Sequence, residues 1–514
     1  VATKEAFSAQ IAEGYKFKGE SIVLGTAVFG GAPMANTLVT APLKTFNRHG
    51  LIAGATGTGK TKTFQRIAES LSARGVPVLL MDVKGDLSGL SQAGASNPKI
   101  EERHTLIGAP WKPTAYPVEY LSISGEQGTR LRATVSEFGP VLFSKILELN
   151  ETQAGVVSMV FKYADDNNLP LLDLKDFKKT VQFLTNEGKA EIEKEYGRIS
   201  TASTGTIIRK VVEIEQEGAE TFFGERSFDV ADLLRIDENG RGYLNILRLG
   251  DIQSRPKLFS TFMLCLLAEI YQTFPEEGDL DQPKLVLFVD EAHLIFKEAS
   301  KALLEQLETI IKLIRSKGVG VFFCTQSPTD IPAPILGQLG MKVQHALRAF
   351  TAQDRKAIKL VAENYPTTEF YDVDEVITSM GIGEAFITLL NEKGIPTPLA
   401  HTLLCAPESR MDTVSADELA QCVRRSTIAT KYAEAVDRAS AYEMLSAKLQ
   451  QAAAAAPPPE PAGRAGKAEE TTFEKVIDSP ITRQIGRTVA RELTRGLLGV
   501  LGVTGGRSRR TGLF

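Results

Sequence analysis

The sequence predicts an α/β fold: a mainly parallel sheet carrying a phosphate-binding loop, a large helical insertion and a flexible C-terminal tail. Three observations lead there. Gly54-Ala55-Thr56-Gly57-Thr58-Gly59-Lys60-Thr61 fits the P-loop spacing G-x-x-x-x-G-K-[ST]. Residues 76–82, 285–290 and 320–325 form continuous apolar runs, as strands covered on both faces do. Helix-period segments separate them, and alternating strands and helices imply parallel pairing.

The loop has the neighbours its chemistry needs. His49-Gly50-Leu51-Ile52-Ala53 reads as a buried strand, and residues 63–71 have helical apolar spacing. Glycines let backbone N–H groups face phosphate oxygens, and the helix N-terminus adds partial positive charge. The expected nucleotide contacts are Gly54, Ala55, Thr56, Gly57, Thr58, Gly59, Lys60, Thr61 and Lys62. Lys60 reaches the β- and γ-phosphates, and Thr61 ligates Mg²⁺.

A second motif completes the site. Residues 285–290 carry Asp290 to the carboxyl edge of the sheet, where it can hold Mg²⁺ through water. Glu291 follows as the candidate general base. The strand 320–325 ends at Gln326, a candidate sensor of the γ-phosphate or the attacking water. Arg315, Arg348 and Arg355 are candidate arginine fingers, a role often filled from a neighbouring subunit. No N-K-x-D guanine-reading motif is present, which favours ATP over GTP. His293 reads as structural, since it has no metal-spaced partner.

A chain of 514 residues predicts two to four domains. Cys265, Cys324, Cys405 and Cys422 are far apart, arguing against zinc and a disulfide scaffold. The net charge of −4 excludes a general polycation. The most apolar stretch, 258–268, is too short for a membrane helix and is followed by Glu269. The first residues lack a secretory apolar region, so a cytoplasmic location is expected.

Along the chain, residues 1–46 read as a small N-terminal β element. The nucleotide core occupies 47–110 and 241–405, split by a mainly helical insertion over 111–240. Within the core, 301–317 is a clear amphipathic helix closed by Gly318. Residues 384–390 and 398–404 read as an antiparallel pair at the sheet edge. Helices over 406–450 lead to an Ala/Pro-rich linker at 451–471 and a basic amphipathic tail at 472–514. In that tail Arg483, Arg487, Arg491 and Arg495 lie four apart. From Ile481 to Phe514 seven arginines oppose one glutamate, a local charge of +6. Such a helix suits nucleic acid, an anionic membrane surface, an acidic partner, or docking on its own protein.

Four motifs together resemble the HerA–FtsK superfamily of RecA-like ATPases: residues 54–61, Asp82-Val83-Lys84-Gly85-Asp86, Asp290-Glu291-Ala292-His293 and Thr325-Gln326-Ser327-Pro328. Asn47-Arg48-His49-Gly50-Leu51-Ile52, Leu149-Asn150-Glu151-Thr152-Gln153 and residues 345–355 make the chain similar to the bacterial HerA-like ATPases of the YjgR type. The resemblance covers about residues 17–410 and the basic C-terminal segment. It implies a RecA-like core, ATP with Mg²⁺, and a homo-oligomer, often a hexameric ring that pumps double-stranded DNA. It assigns Lys60, Thr61, Asp290, Glu291 and Gln326 to the active site, with Arg348 or Arg355 offered in trans. Asp-Glu-Ala-His also occurs in superfamily-2 helicases, but their Q-x-x-G-R-x-x-R motif is not matched by Gln484-Ile485-Gly486-Arg487. The reading is therefore an ATP-hydrolysing motor acting on DNA. Its rival is a nucleotide-dependent switch or scaffold that binds a protein or membrane partner.

Overall fold

The computed structural model describes residues 3–251, 255–278, 280–297, 299, 301–433 and 439–455. Most of the linker expected at 451–471, and all of the basic tail at 472–514, lie outside the described residues. The chain divides into two compact units. One comprises Val1–Leu131 and Phe228–Glu434; the other comprises Arg132–Ser227 and the chain from Ala435 onward.

The first unit is built on one sheet. In chain order its strands are β1 (Ser21–Phe29), β2 (Ala32–Pro42), β3 (Gly50–Ala53), β4 (Val78–Asp82), β5 (Val118–Ser122), β6 (Thr129–Arg130), β7 (Leu244–Arg248), β8 (Leu285–Val289), β9 (Val319–Thr325), β10 (Met341–His345), β11 (Glu384–Thr388) and β12 (Ala400–Leu404). Their spatial order is β2-β1-β12-β11-β10-β3-β9-β8-β4-β7-β5-β6. From β10 to β6 every pairing is parallel, and from β2 to β10 every pairing is antiparallel. Every residue of β3, β4, β8 and β9 is buried, as their apolar runs predict.

The helix Lys60–Ser72 packs on this sheet through Phe64, Ile67, Ala68 and Leu71. Phe64 meets Phe288 with ring centroids 4.7 Å apart, and Phe288 meets Phe322 at 5.0 Å. This aromatic chain fixes β8 and β9 beneath the helix. The helix Lys301–Ile314 ends in a 3-10 turn, Arg315–Lys317, and Gly318 closes it in the left-handed region at φ 74°.

The element expected over 1–46 is the margin of the main sheet. β1 pairs antiparallel with β12, and the Tyr15 hydroxyl donates to the carbonyls of Ile387 and Pro398 at 2.9 and 2.8 Å. The pair β11–β12 is antiparallel, as expected, but β1 and β2 lie outside it, so β2 is the edge. The boundary expected at 111 falls at 132, because β5 and β6 continue the parallel sheet beside β7.

The second unit is helical among the described residues: Val135–Ile146, Glu151–Asp166, Leu174–Thr185, Lys189–Glu195, Thr201–Gln216 and Ala441–Ala455. Capping boxes start three of them, at Thr134, Asn150 and Asp173. Ala441–Ala455 overruns the boundary expected at 450. It is tied into this unit by the Tyr442 N–H, which donates to buried Asp176 at 2.8 Å. No described helix is long and apolar enough to cross a membrane.

Gly320 in β9 is the tightest backbone approach in the central sheet, since a Cβ there would lie 2.0 Å from the Phe46 carbonyl oxygen. No rotamer relieves a clash with backbone. Gly320→Ala is expected to destabilise the first unit by about 2–3 kcal/mol. Denaturant titration followed by Trp111, the chain's single tryptophan, measures this; an unchanged midpoint overturns it.

Candidate functional site

Parallel register brings the motifs to one edge. Ala53 pairs with Thr325, Phe323 with Val289, and Val289 with Met81, so β3, β9, β8 and β4 end nearly in line. Beyond those ends come the loop 54–59, Gln326, Asp290 and the turn 83–87. Brought to this edge are Lys60, Thr61, Asp290, Glu291 and Gln326, the residues predicted from sequence.

The loop is pinned on both sides. Gly54 N–H donates to Thr325 O at 3.3 Å, Ala55 N–H to Ala346 O at 2.8 Å, and Gly383 N–H to Thr58 O at 3.0 Å. The Ala55 amide, counted above among the phosphate contacts, is therefore engaged by the protein. Two glycines are required by crowding and backbone angle. At Gly54 (φ 154°) a Cβ would lie 2.5 Å from the His345 Cβ, and at Gly59 (φ 105°) one would lie 3.2 Å from the Gly383 nitrogen. Lys60 is 8% exposed, and its ammonium donates to the Ala55 carbonyl at 3.0 Å. Burial pushes its pKa down. Lys62 instead reaches Met411 O at 2.5 Å and Gln65 Oε1 at 3.2 Å.

Asp290 is 1% exposed, and its Oδ2 is buried with no hydrogen-bond partner among the described residues. Burial pushes its pKa up to about 6, against the pull of Lys84. Glu291, 6% exposed, adopts φ 48°, a left-handed conformation unusual for a side-chain-bearing residue. Its turn is held by Ala292 N–H donating to Cys324 O at 2.9 Å and Leu294 N–H donating to Glu291 O at 2.9 Å. Lys84 forms an ion pair with Glu291 Oε1. His293 Nδ1 lies 3.2 Å from Glu291 Oε2, at ion-pair distance without hydrogen-bond geometry. No cluster of His, Cys, Asp and Glu among the described residues forms a protein-only metal cage.

The arginines separate. Arg348 and Arg355 are exposed on the chain after β10, with Arg348 donating to Thr378 O at 2.9 Å. Arg315 lies before β9, at the opposite edge of the sheet from its own loop.

Sequence reasoning missed a polar clamp on the helix Lys60–Ser72. Glu69 is fully buried and accepts from Glu408 N–H at 2.8 Å and from Ser409 N–H at 3.0 Å. Arg66 pairs with Glu408 at 2.8 Å, and Gln65 donates to Ser409 Oγ at 2.7 Å. The segment after β12 is thereby strapped to the helix that carries Lys60. A carboxylate beside Ala68 and Leu71 on the buried face was the one available signal.

A family model described as helicase HerA-like C-terminal matches residues 31–470. The DNA double-strand break repair helicase HerA of Sulfolobus acidocaldarius is 22% identical over 362 residues, which span 69% of this chain and 64% of that protein. The unbound bacterial conjugative coupling protein TrwBΔN70 aligns with a TM-score of 0.51 at 15% identity, over 79% of this chain and 95% of that one. TrwB in complex with ADP and Mg²⁺ gives 0.51 at 17%, over 79% and 94%. The fold is thus a mixed α/β architecture of the TrwB type, with a large, mostly parallel sheet.

His345 lies fully buried beneath the loop, with Nε2 3.0 Å from Thr63 Oγ1. Burial pushes its pKa down to about 3 from an ordinary 6.5. The folded chain thus refuses a proton that the unfolded chain accepts. Its stability contribution is complete above pH 6.5 and is lost as pH falls towards 3, by about 2 kcal/mol at pH 5. His345→Gln should show an acid loss smaller by that amount in Trp111-monitored denaturation at pH 7.5 and 5. Equal losses in both proteins contradict this. His49, pushed down to about 4 by burial, acts in the same direction in both and cancels.

Proposed function

The chain belongs to the helicase HerA-like C-terminal family, and from that premise we propose that it is an ATP-hydrolysing motor acting on double-stranded DNA. The observation that carries the ATP-hydrolysing part of this reading is the buried, unpartnered Oδ2 of Asp290 at the edge shared with the Lys60 loop. A buried carboxylate oxygen without a donor is costly, and a cation or its water shell satisfies it. The residues therefore fit Mg²⁺ with a nucleotide: Thr61 and Asp290 to hold the metal, the loop and Lys60 to hold the phosphates. The metal would supply charge neutralisation at the phosphates. In this reading Glu291 takes a proton from water and Gln326 orients that water.

Support for ATP and Mg²⁺ comes from the missing guanine motif and from TrwB, whose fold is shared and which is described with ADP and Mg²⁺. Support for DNA comes from the Sulfolobus relative, named as a DNA double-strand break repair helicase. This chain spans 64% of that protein. We further propose a ring-shaped homo-oligomer, a hexamer by resemblance, working in the cytoplasm, with Arg348 or Arg355 completing a neighbour's site. Phe350, 87% exposed between those arginines, supports a subunit contact there, because large apolar side chains gain by leaving water. The basic tail at 472–514 is proposed as a further contact for DNA.

Glu291→Gln should bind ATP as the wild type does and turn over at least about 100-fold more slowly, the scale of a lost general base. Lys60→Ala should lose nucleotide binding in an equilibrium assay. Wild-type hydrolysis by Glu291→Gln rejects the catalytic assignment. Duplex DNA should raise the ATPase rate severalfold at low salt, with the effect fading as salt rises. Hydrolysis with no response to any nucleic acid would reject the motor and leave the switch.

A further inference from the structure

Lys84 and Glu291 leave the sheet side by side. β4 and β8 are neighbours with Met81 opposite Val289, so the two residues sit two or three positions beyond the same rung. The turn that carries Lys84 is rigid. Asp82 Oδ1 accepts from Gly85 N–H at 2.7 Å, Asp82 Oδ2 accepts from Leu87 N–H at 3.1 Å, and Gly85 takes φ 79°. The lysine side chain is 42% exposed, whereas that of Glu291 is 8% exposed. A partly exposed cation thus reaches in from solvent and rests on a buried carboxylate.

That contact opposes the role given to Glu291. A carboxylate that activates water must present an oxygen to that water; Oε1 is taken by an ammonium, and Oε2, though without a hydrogen bond, is buried beside His293. Lys84 also has other attractions nearby. Asp290 and Asp86 attract its charge and Lys60 repels it, which places it within electrostatic range of the phosphate site. A triphosphate brought there offers more negative charge than one carboxylate, and lysine's flexible stem allows the change of partner.

We propose that Lys84 is a positioning residue that latches Glu291 in the nucleotide-free protein and lets go for only part of the time when a nucleoside triphosphate enters, so that the latch sets the basal turnover. This rests on the reading of Glu291 as the water-activating group. The latch keeps the carboxylate occupied while the site is empty and makes it available only beside a terminal phosphate.

The test uses the full chain. Lys84→Met keeps the apolar stem and removes the charge. It is expected to raise basal ATP turnover about threefold or more with KM within twofold of wild type, and Lys84→Arg should restore the low rate. On a Glu291→Gln background Lys84→Met should change nothing, since the two residues act through one contact. A fall in turnover with a rise in KM makes Lys84 a phosphate ligand and overturns the latch; unchanged turnover overturns it as well. A second readout needs no hydrolysis. Acetylation of Lys84 by an amine-reactive ester, followed by mass spectrometry, should be slow in the nucleotide-free wild type and severalfold faster in Glu291→Gln. Equal labelling overturns the latch, whereas a wild type that labels as expected but hydrolyses no ATP overturns the catalytic reading alone. Trp111 fluorescence confirms that each variant is folded.

Discussion

The common register of β3, β9, β8 and β4 is the constraint on which the site depends. Each of these strands is buried along its whole length, so side-chain packing on both faces, and not a polar–apolar alternation, fixes its position. The stack Phe64–Phe288–Phe322 does much of this, locking β8 and β9 against the helix that begins at Lys60. A one-residue slip in β8 would send Phe288 to the opposite face and carry Asp290 with it. Core packing and the geometry of the candidate site are therefore the same interaction seen at two ends of a strand.

Burial then works on the charges this register assembles. It lowers the pKa of Lys60 and raises that of Asp290 to about 6 and that of Asp82 to about 7. Each group is pushed towards its neutral form. Asp82 is partly compensated, because its two oxygens accept the Gly85 and Leu87 amides. Asp290 keeps one oxygen, Oδ2, without a donor despite the pull of Lys84, and the left-handed backbone at Glu291 adds strain of roughly 1–2 kcal/mol. Costs of this kind cluster where a ligand relieves them. The proximity of Lys60, Asp290 and Glu291 is best understood as pre-organisation for a bound polyanion and its cation.

The sequence made the nucleotide edge legible because its signals are local. The loop 54–61 and the run ending at Asp290 each combine a strand pattern with the residue that follows it, and both need only a few neighbours to be recognised. What escaped was non-local. β5 and β6 were hidden inside a region read as helical, because Val118–Ser122 is short and its partner β7 lies more than a hundred positions away. β1 gave a clear strand pattern, yet nothing in it names β12 as its partner. Lys84 appeared only within a family motif. Its contact with Glu291 follows from the β4–β8 pairing, which spacing along the chain does not contain.

The strap on Glu69 shows how a distant segment becomes part of the site. Burial pushes the Glu69 pKa up, while Arg66 and the Ser409 hydrogen bonds oppose it. Withdrawing the segment around Glu408 and Ser409 would remove two backbone donors and the serine hydroxyl together. A buried carboxylate left without donors costs about 1–3 kcal/mol per lost partner, more where charge is retained. The segment after β12 is consequently held far more firmly than an exposed connection of its length. Because Glu69 lies on the same helix as Lys60 and Thr61, the clamp fastens the segment after β12 to the helix that opens with those two residues.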